Sequence, residues 1–83
     1  MKALTQYGLM AERHWREFRP RMVEELQQKG LLQEILQEAQ DKTAREMDGL
    51  CRHFQEQGLT AQQAHDRAWE IVRERYIFLP PET

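Results

Sequence analysis

One long helical segment limits what this chain can fold into. Between residues 31 and 57, apolar side chains recur at three- and four-residue steps, as they do on one face of an α-helix. They are Leu32, Ile35, Leu36, Ala39, Thr43, Met47, Leu50 and Phe54. At 1.5 Å per residue this helix spans roughly 39 Å. Gly49 lies inside it at a cost of about 1 kcal/mol relative to alanine, so the pattern allows a straight, bent or broken helix there.

Caps and stops divide the rest of the chain into shorter helices. Pro20 disfavours helical geometry at Arg19 and suits the first position of a new helix. Thr60 and Gln63 have the spacing of a capping box, in which each side chain bonds the backbone of the other residue. Together these signals predict an all-α fold of four helices, at 5–18, 20–28, 31–57 and 60–78.

The first helix is predicted to start at Thr5, which can cap it, with Leu4 and Leu9 as the apolar staple around the cap. Gly8 in its first turn weakens the helix slightly. Its apolar stripe contains Tyr7, Met10, Ala11, His14, Trp15 and Phe18.

The short turn at residues 58–59 predicts that the last two helices pair as an antiparallel hairpin, with the first two packed over one end. We expect one domain over residues 1–83. A long helix on so small a body leaves apolar surface that is hard to cover, which favours a possible homodimer.

Composition excludes several classes of chemistry. The chain has no serine and no asparagine, so a Ser-His-Asp hydrolase is ruled out. Its one cysteine, Cys51, allows no internal disulfide and fits a cytoplasmic protein. No apolar run reaches the roughly 18 residues of a membrane span. The net charge of -2 provides no global attraction to nucleic acid. We expect no enzymatic activity, cofactor, metal or membrane association.

The stretch "LTAQQAHDRAWE" contains an adjacent His65 and Asp66 beside Trp69. Neighbouring residues on a helix point in different directions, so the pair does not form a catalytic dyad by itself. We interpret His65 as a boundary histidine packed on an aromatic ring, and His14 in the same way. Cys51 is interpreted as a small buried apolar residue.

Two charged features are candidate binding surfaces. Residues 1–30 carry six Lys/Arg and four Asp/Glu, a local charge of +2. Arginines among aromatic residues suit phosphate contact and base stacking, although the aromatic rings can equally face the core. Residues 31–57 carry three Lys/Arg and six Asp/Glu, a charge of -3. Carboxylates on one helix face can imitate a phosphate backbone, or form an ordinary solvated face. The candidates are Arg13, Arg16, Arg19 and Arg21 in the basic patch, and Glu34, Glu38 and Asp41 in the acidic row.

Several motifs are shared with a known family. They are "LTQYGLMAERHW", Arg19-Pro20, Gly30 with Leu32, "LQEA" at 36–39, and the stretch from "AWEIV" to "FLP" at 68–80. Over residues 4–80 the chain resembles the small TnpV-like proteins encoded on transposons and other mobile elements. The resemblance implies a cytoplasmic helical protein that is an accessory to transposition or element maintenance, with no catalytic motif. The chain is shorter than longer members between the third and fourth helices and at its end.

Two function classes follow. The first is a mobile-element accessory that binds DNA or a recombination protein. The second is an inhibitor that binds a host or rival nucleic-acid enzyme, such as a defence-system nuclease, through its acidic helix. Salt dependence separates the two, because direct DNA binding weakens steeply with salt.

Overall fold

Four α-helices account for nearly all of the structure, a computed structural model that describes residues 3–82. They are α1 (Gln6–Phe18), α2 (Pro20–Gln28), α3 (Leu32–Glu56) and α4 (Ala61–Tyr76). Within that range there is no strand, and the all-α prediction is confirmed. α3 runs through Gly49 without interruption, so that glycine does not break the helix.

α3 is the element on which the others are assembled. α4 packs against it along its length as an antiparallel hairpin, while α1 and α2 cover its first half. One cluster of core side chains joins α1, α2, α3 and the C-terminal segment, residues 77–82, and contains Trp15, Leu36 and Ile77. A second cluster joins α3 to α4 through Met47, Ala68 and Val72.

The molecule is flat and elongated. Its principal extents are 46 × 32 × 14 Å, and its radius of gyration is 14.3 Å. A compact domain of this length has a radius of gyration of about 12 Å. The excess arises because the far end of the hairpin projects beyond α1 and α2. No described helix is long and apolar enough to cross a membrane.

α4 begins as the sequence predicts. The Thr60 hydroxyl accepts a hydrogen bond from the Gln63 backbone N–H at 3.2 Å, and the Gln63 side chain accepts one from the Thr60 backbone at 3.0 Å. This closed capping box satisfies two N–H groups that the first turn of a helix would otherwise leave unpaired. The helix start is therefore fixed by local residues alone.

α1 begins differently, and two expectations about it were wrong. Thr5 occupies the N-cap position, but its side chain makes no capping bond. Its hydroxyl and its backbone N–H both donate to Oε1 of Gln40 on α3, at 3.0 and 2.6 Å. Leu9 does not complete a staple with Leu4, because its side chain is 55% exposed. A long-range polar contact has replaced the local cap.

Gly8 leaves room at the contact between α1 and α3. A Cβ atom on Gly8 would lie 2.4 Å from Oε1 of Gln40 and 2.8 Å from Cδ2 of Leu4. The missing side chain therefore lets the buried Gln40 amide reach the start of α1. Gly8, which weakens α1 as an isolated helix, thus leaves room for α1 to dock on α3.

The C-terminal segment closes the fold by crossing α1 and α2. The Trp15 indole donates to the backbone oxygen of Ile77 at 3.0 Å. The Glu82 carboxylate accepts from the backbone N–H groups of Arg21 and Met22, at 3.1 and 3.0 Å. A carboxylate is favourable at the positive end of a helix, so Glu82 caps α2 from some 60 residues away.

Candidate binding surface on α1 and α2

The outer face of α1 contains part of the predicted arginine patch. Arg13 and Arg16 share this face with Leu9, because the three residues are spaced four and three apart. The Arg16 guanidinium donates to Glu12 at 2.9 Å. The Arg13 side chain is exposed and has no hydrogen-bond or ion-pair partner within residues 3–82. Leu9 is the most exposed large apolar side chain in that range. The face therefore presents an exposed apolar group followed by two cations in the next two turns.

The other two arginines differ from each other in role. Arg19 is half-buried, and its Nη1 donates to the backbone oxygen of Pro80 at 2.7 Å. Its position at the junction of α1 and α2 makes it a structural tie to the C-terminal segment. Arg21 is exposed, and only its backbone N–H is engaged, by Glu82. Three of the four predicted arginines, Arg13, Arg16 and Arg21, are therefore accessible to a partner.

The aromatic residues near the patch face mostly inward. Trp15 is 3% exposed and belongs to the core, as the more conservative interpretation predicts. Phe18 is 37% exposed, with its ring 4.5 Å from that of His14. Base stacking needs an accessible ring face. Trp15 cannot supply one, which removes one of the two rings on which nucleic-acid stacking was expected to depend.

The acidic row lies on the outer face of α3. Glu34 and Glu38 are exposed, and Asp41 is half-buried. Cations interrupt the row: Lys42 pairs with Glu38 at 2.9 Å, and Arg52 pairs with Asp48 at 2.8 Å further along the same face. These i, i+4 pairs neutralise part of the charge. The face is therefore a solvated surface of mixed charge. It is not a continuous row of carboxylates that imitates a phosphate backbone.

The His65-Asp66 pair forms no site. His65 Nδ1 lies 3.7 Å from Asp66 Oδ1, and both side chains are more than half exposed. No aromatic ring packs on His65, so the interpretation of this residue as a packed boundary histidine was wrong. His14 fits that interpretation instead: its Nε2 lies 3.0 Å from the backbone oxygen of Leu79, between the rings of Phe18 and Phe78. Residues 3–82 contain no cluster of His, Cys, Asp and Glu suited to a metal ion.

A groove of about 200 Å³ adjoins Arg13, and sequence reasoning missed it. Its walls are Met10 and His14 of α1 and Phe78 of the C-terminal segment, with Arg13 and Glu17 at the rim. Phe78 comes from a part of the chain more than 60 residues away. No local pattern could place it against α1, although the apolar "YIFL" stretch after α4 indicated that this segment packs somewhere.

A polar contact joins α3 and α4. The Tyr76 hydroxyl and the Arg75 guanidinium both donate to the Glu46 carboxylate, the latter at 2.5 Å. The hydrogen bond from Tyr76, supported by Arg75, holds the pKa of Glu46 below its usual range. The same hydrogen bond raises the pKa of Tyr76. The arrangement stabilises ionised Glu46 and neutral Tyr76, and it ties α4 to α3.

Comparison of the chain with protein-family models, with curated proteins and with solved structures found no match. The strongest candidate binding surface in the structure is the outer face of α1 together with Arg21 of α2. We refer to Leu9, Arg13, Arg16 and Arg21 as the arginine surface.

Proposed function

We propose that this protein is a non-enzymatic accessory of a mobile element and acts by binding a recombination protein through the arginine surface. The observation that carries the proposal is the exposure of Leu9 on the same helix face as Arg13 and Arg16, one and two turns before them. Arginine is one of the residue types that supply most of the binding energy at protein interfaces. The mobile-element context comes from the resemblance to TnpV-like proteins.

A protein partner suits this surface better than DNA. Glu12 and Glu17 lie on α1 beside Arg13 and Arg16, so the helix face has no excess of positive charge. Nucleic-acid binding depends on such an excess, because affinity comes mainly from neutralised phosphates. Mixed charge around an apolar centre is typical of protein interfaces instead.

The test is co-purification with the recombination protein encoded on the same element. Replacing Arg13, Arg16 and Arg21 with glutamine should reduce capture at least tenfold and leave the thermal midpoint nearly unchanged, because none of the three side chains holds the core. The matched control replaces Glu34, Glu38 and Asp41 with glutamine and should retain capture. Arg19 stays in both variants, because it binds the backbone of Pro80.

The opposite pattern would favour the inhibitor function, with the acidic row as its contact. Direct DNA binding would appear as retention of a labelled duplex by the protein alone, with affinity falling steeply between low and physiological salt. Full capture by both triple variants would refute both charged surfaces as the contact.

A further inference from the structure

The groove beside Arg13 has a defined shape and an apolar interior. Met10 and the ring of His14 form its α1 side, and Phe78 forms the opposite wall. The Phe78 ring is fixed by aromatic neighbours, 5.0 Å from His14 and 6.0 Å from Trp69 between ring centroids. One wall is therefore rigid, while Met10 is the adaptable side chain that suits contact with another molecule.

The charges at the rim of the groove are unpaired. Arg13 and Glu17 stand one helical turn apart, yet neither has an ion-pair partner in the described chain. An acid that precedes a base by four residues pairs better than the reverse order. Three pairs in the favourable order are closed: Glu12 with Arg16, Glu38 with Lys42, and Asp48 with Arg52. The reversed order leaves Arg13 and Glu17 available beside an apolar groove.

We propose that this groove binds an amphipathic helix of a protein partner, with one aliphatic side chain in the groove. A carboxylate of that helix faces Arg13, and a cation faces Glu17. Complementary charges around an apolar anchor fix the register of a bound helix and exclude wrong partners. This inference depends on the proposed function, because it names the kind of segment that the surface around Arg13 recognises.

The rim chemistry distinguishes this occupant from a nucleic acid. One cation and one anion beside the groove give no net attraction for a phosphate backbone. An aliphatic side chain gains from leaving water in a groove lined by Met10 and Phe78. The observed combination of one apolar depression and two opposite charges matches a helix that carries acid, leucine and base on one face.

The experiment uses the full chain and three alanine-based helical peptides. The first carries glutamate, leucine and lysine in successive turns on one face. The second replaces the leucine with alanine, and the third replaces the glutamate with lysine. Binding is followed by the NMR signals of the Met10 methyl group and the His14 ring. The first peptide should shift these signals, the second should bind at least tenfold more weakly, and the third two- to fivefold more weakly.

Charge exchange in the protein makes the test specific. Arg13→Glu should reverse the preference, so that the peptide with two lysines binds better than the peptide with glutamate and lysine. Met10→Glu should abolish binding of every peptide. Ile71→Glu alters an equally apolar but remote surface position of α4 and should change nothing. Circular dichroism of each variant verifies that α1 remains folded.

Several results would overturn the inference. They are equal binding of the peptides with leucine and alanine, shifts that map away from Met10 and His14, and a peptide preference that Arg13→Glu does not reverse. Concentration-dependent shifts without peptide would identify a second copy of the chain as the occupant instead. If the triple arginine variant loses the recombination protein while the peptides fail, the proposed function stands and this inference does not. If the peptides bind as expected while the triple arginine variant retains the recombination protein, this inference stands and the proposed function does not.

Discussion

The two halves of α3 differ in what covers them and in what holds their neighbours in place. Residues 32–43, the covered half, lie under α1, α2 and the C-terminal segment, and Leu36 there is 1% exposed. Residues 47–56, the open half, face α4 and, from α1, only Tyr7. Leu50 and Phe54 of the open half remain half-buried.

The contacts at the N-termini of the other helices also differ between the two halves of α3. At the covered half, α1 begins on the side chain of Gln40, and α2 begins on the carboxylate of Glu82. Beyond the open half, α4 begins on its own Thr60 and Gln63. Contacts distant in sequence organise one end of the molecule, and local contacts organise the other. We therefore expect substitutions of apolar core residues at the covered half to affect several helices, and those at the open half to act locally.

The largest contrast should appear in the core. Leu36→Ala should lower the free energy of unfolding by about 2–5 kcal/mol, because it leaves a cavity where several elements meet. Leu50 has the same helical spacing, but its partial exposure lowers the loss expected for Leu50→Ala to about 1–2 kcal/mol. Urea denaturation of both variants measures the difference. Equal losses would show that the open half is as tightly packed as the covered half.

The second contrast concerns Gln40. Gln40→Ala should lower the free energy of unfolding by about 1–3 kcal/mol, since it leaves two donors of Thr5 without their acceptor and opens space under Gly8. Gln55→Ala is the control, because Gln55 is exposed on the open half of the same helix. It should stay within about 0.5 kcal/mol of the wild type. Hydrogen exchange should show faster opening of α1 in the Gln40 variant alone. Uniform destabilisation of all four helices would contradict a local role for Gln40 at α1.

Sequence reasoning succeeded where the deciding contacts are local. Pro20 at the first position of α2 and the Thr60-Gln63 box were both correctly predicted, because each acts within a few residues. It failed at Thr5, where the competing acceptor is 35 residues away. It also treated Gly8 only as a weak helix former. The close approach of Gly8 to Gln40 of α3 joins residues far apart in the sequence, so no local pattern indicates it.

At the candidate site, too, sequence reasoning predicted local features and missed contacts between distant residues. Helical spacing correctly put Trp15 on the apolar stripe of α1 that faces the core. It could not show that Arg19 would bind Pro80, or that Phe78 would form a groove with Met10. Both contacts depend on the path of the C-terminal segment, and no periodicity in that segment indicates its direction.

A third contrast compares two threonines at the same cap position. Thr60→Ala should cost about 1 kcal/mol, the usual value for losing an N-cap side chain. Thr5→Ala should cost less, about 0.5 kcal/mol, because the backbone N–H of residue 5 still donates to Gln40. Thermal unfolding of the two variants side by side gives the order. A larger loss at Thr5 would mean that its hydroxyl contributes more to the docking of α1 than the backbone bond does.

The smallest expected effect is a dependence on pH at the junction of the two halves, where Glu46 binds Tyr76 and Arg75. The pKa of Glu46 is lowered in the folded chain, so its stabilising contribution is complete above the unfolded value of about 4.3 and is lost as pH falls through the folded value. The pKa of Tyr76 is raised, so its contribution is complete below about 10 and is lost as pH rises through the folded value.

Glu46→Gln should therefore flatten the decline in stability below about pH 4, at a loss under about 1 kcal/mol at neutral pH, since this contact is near the surface. Asp48→Asn is the matched control: its carboxylate pairs with Arg52 on the exposed face of the same helix, away from α4. Urea unfolding at a series of pH values from 3 to 7 measures both variants. The docking of α1 depends on a neutral amide, which does not titrate, so its hydrogen-exchange protection should stay constant across this range while that of α4 falls. Parallel loss of protection in α1 and α4 on acidification would mean that the two attachments to α3 are coupled, and that its two halves do not act separately.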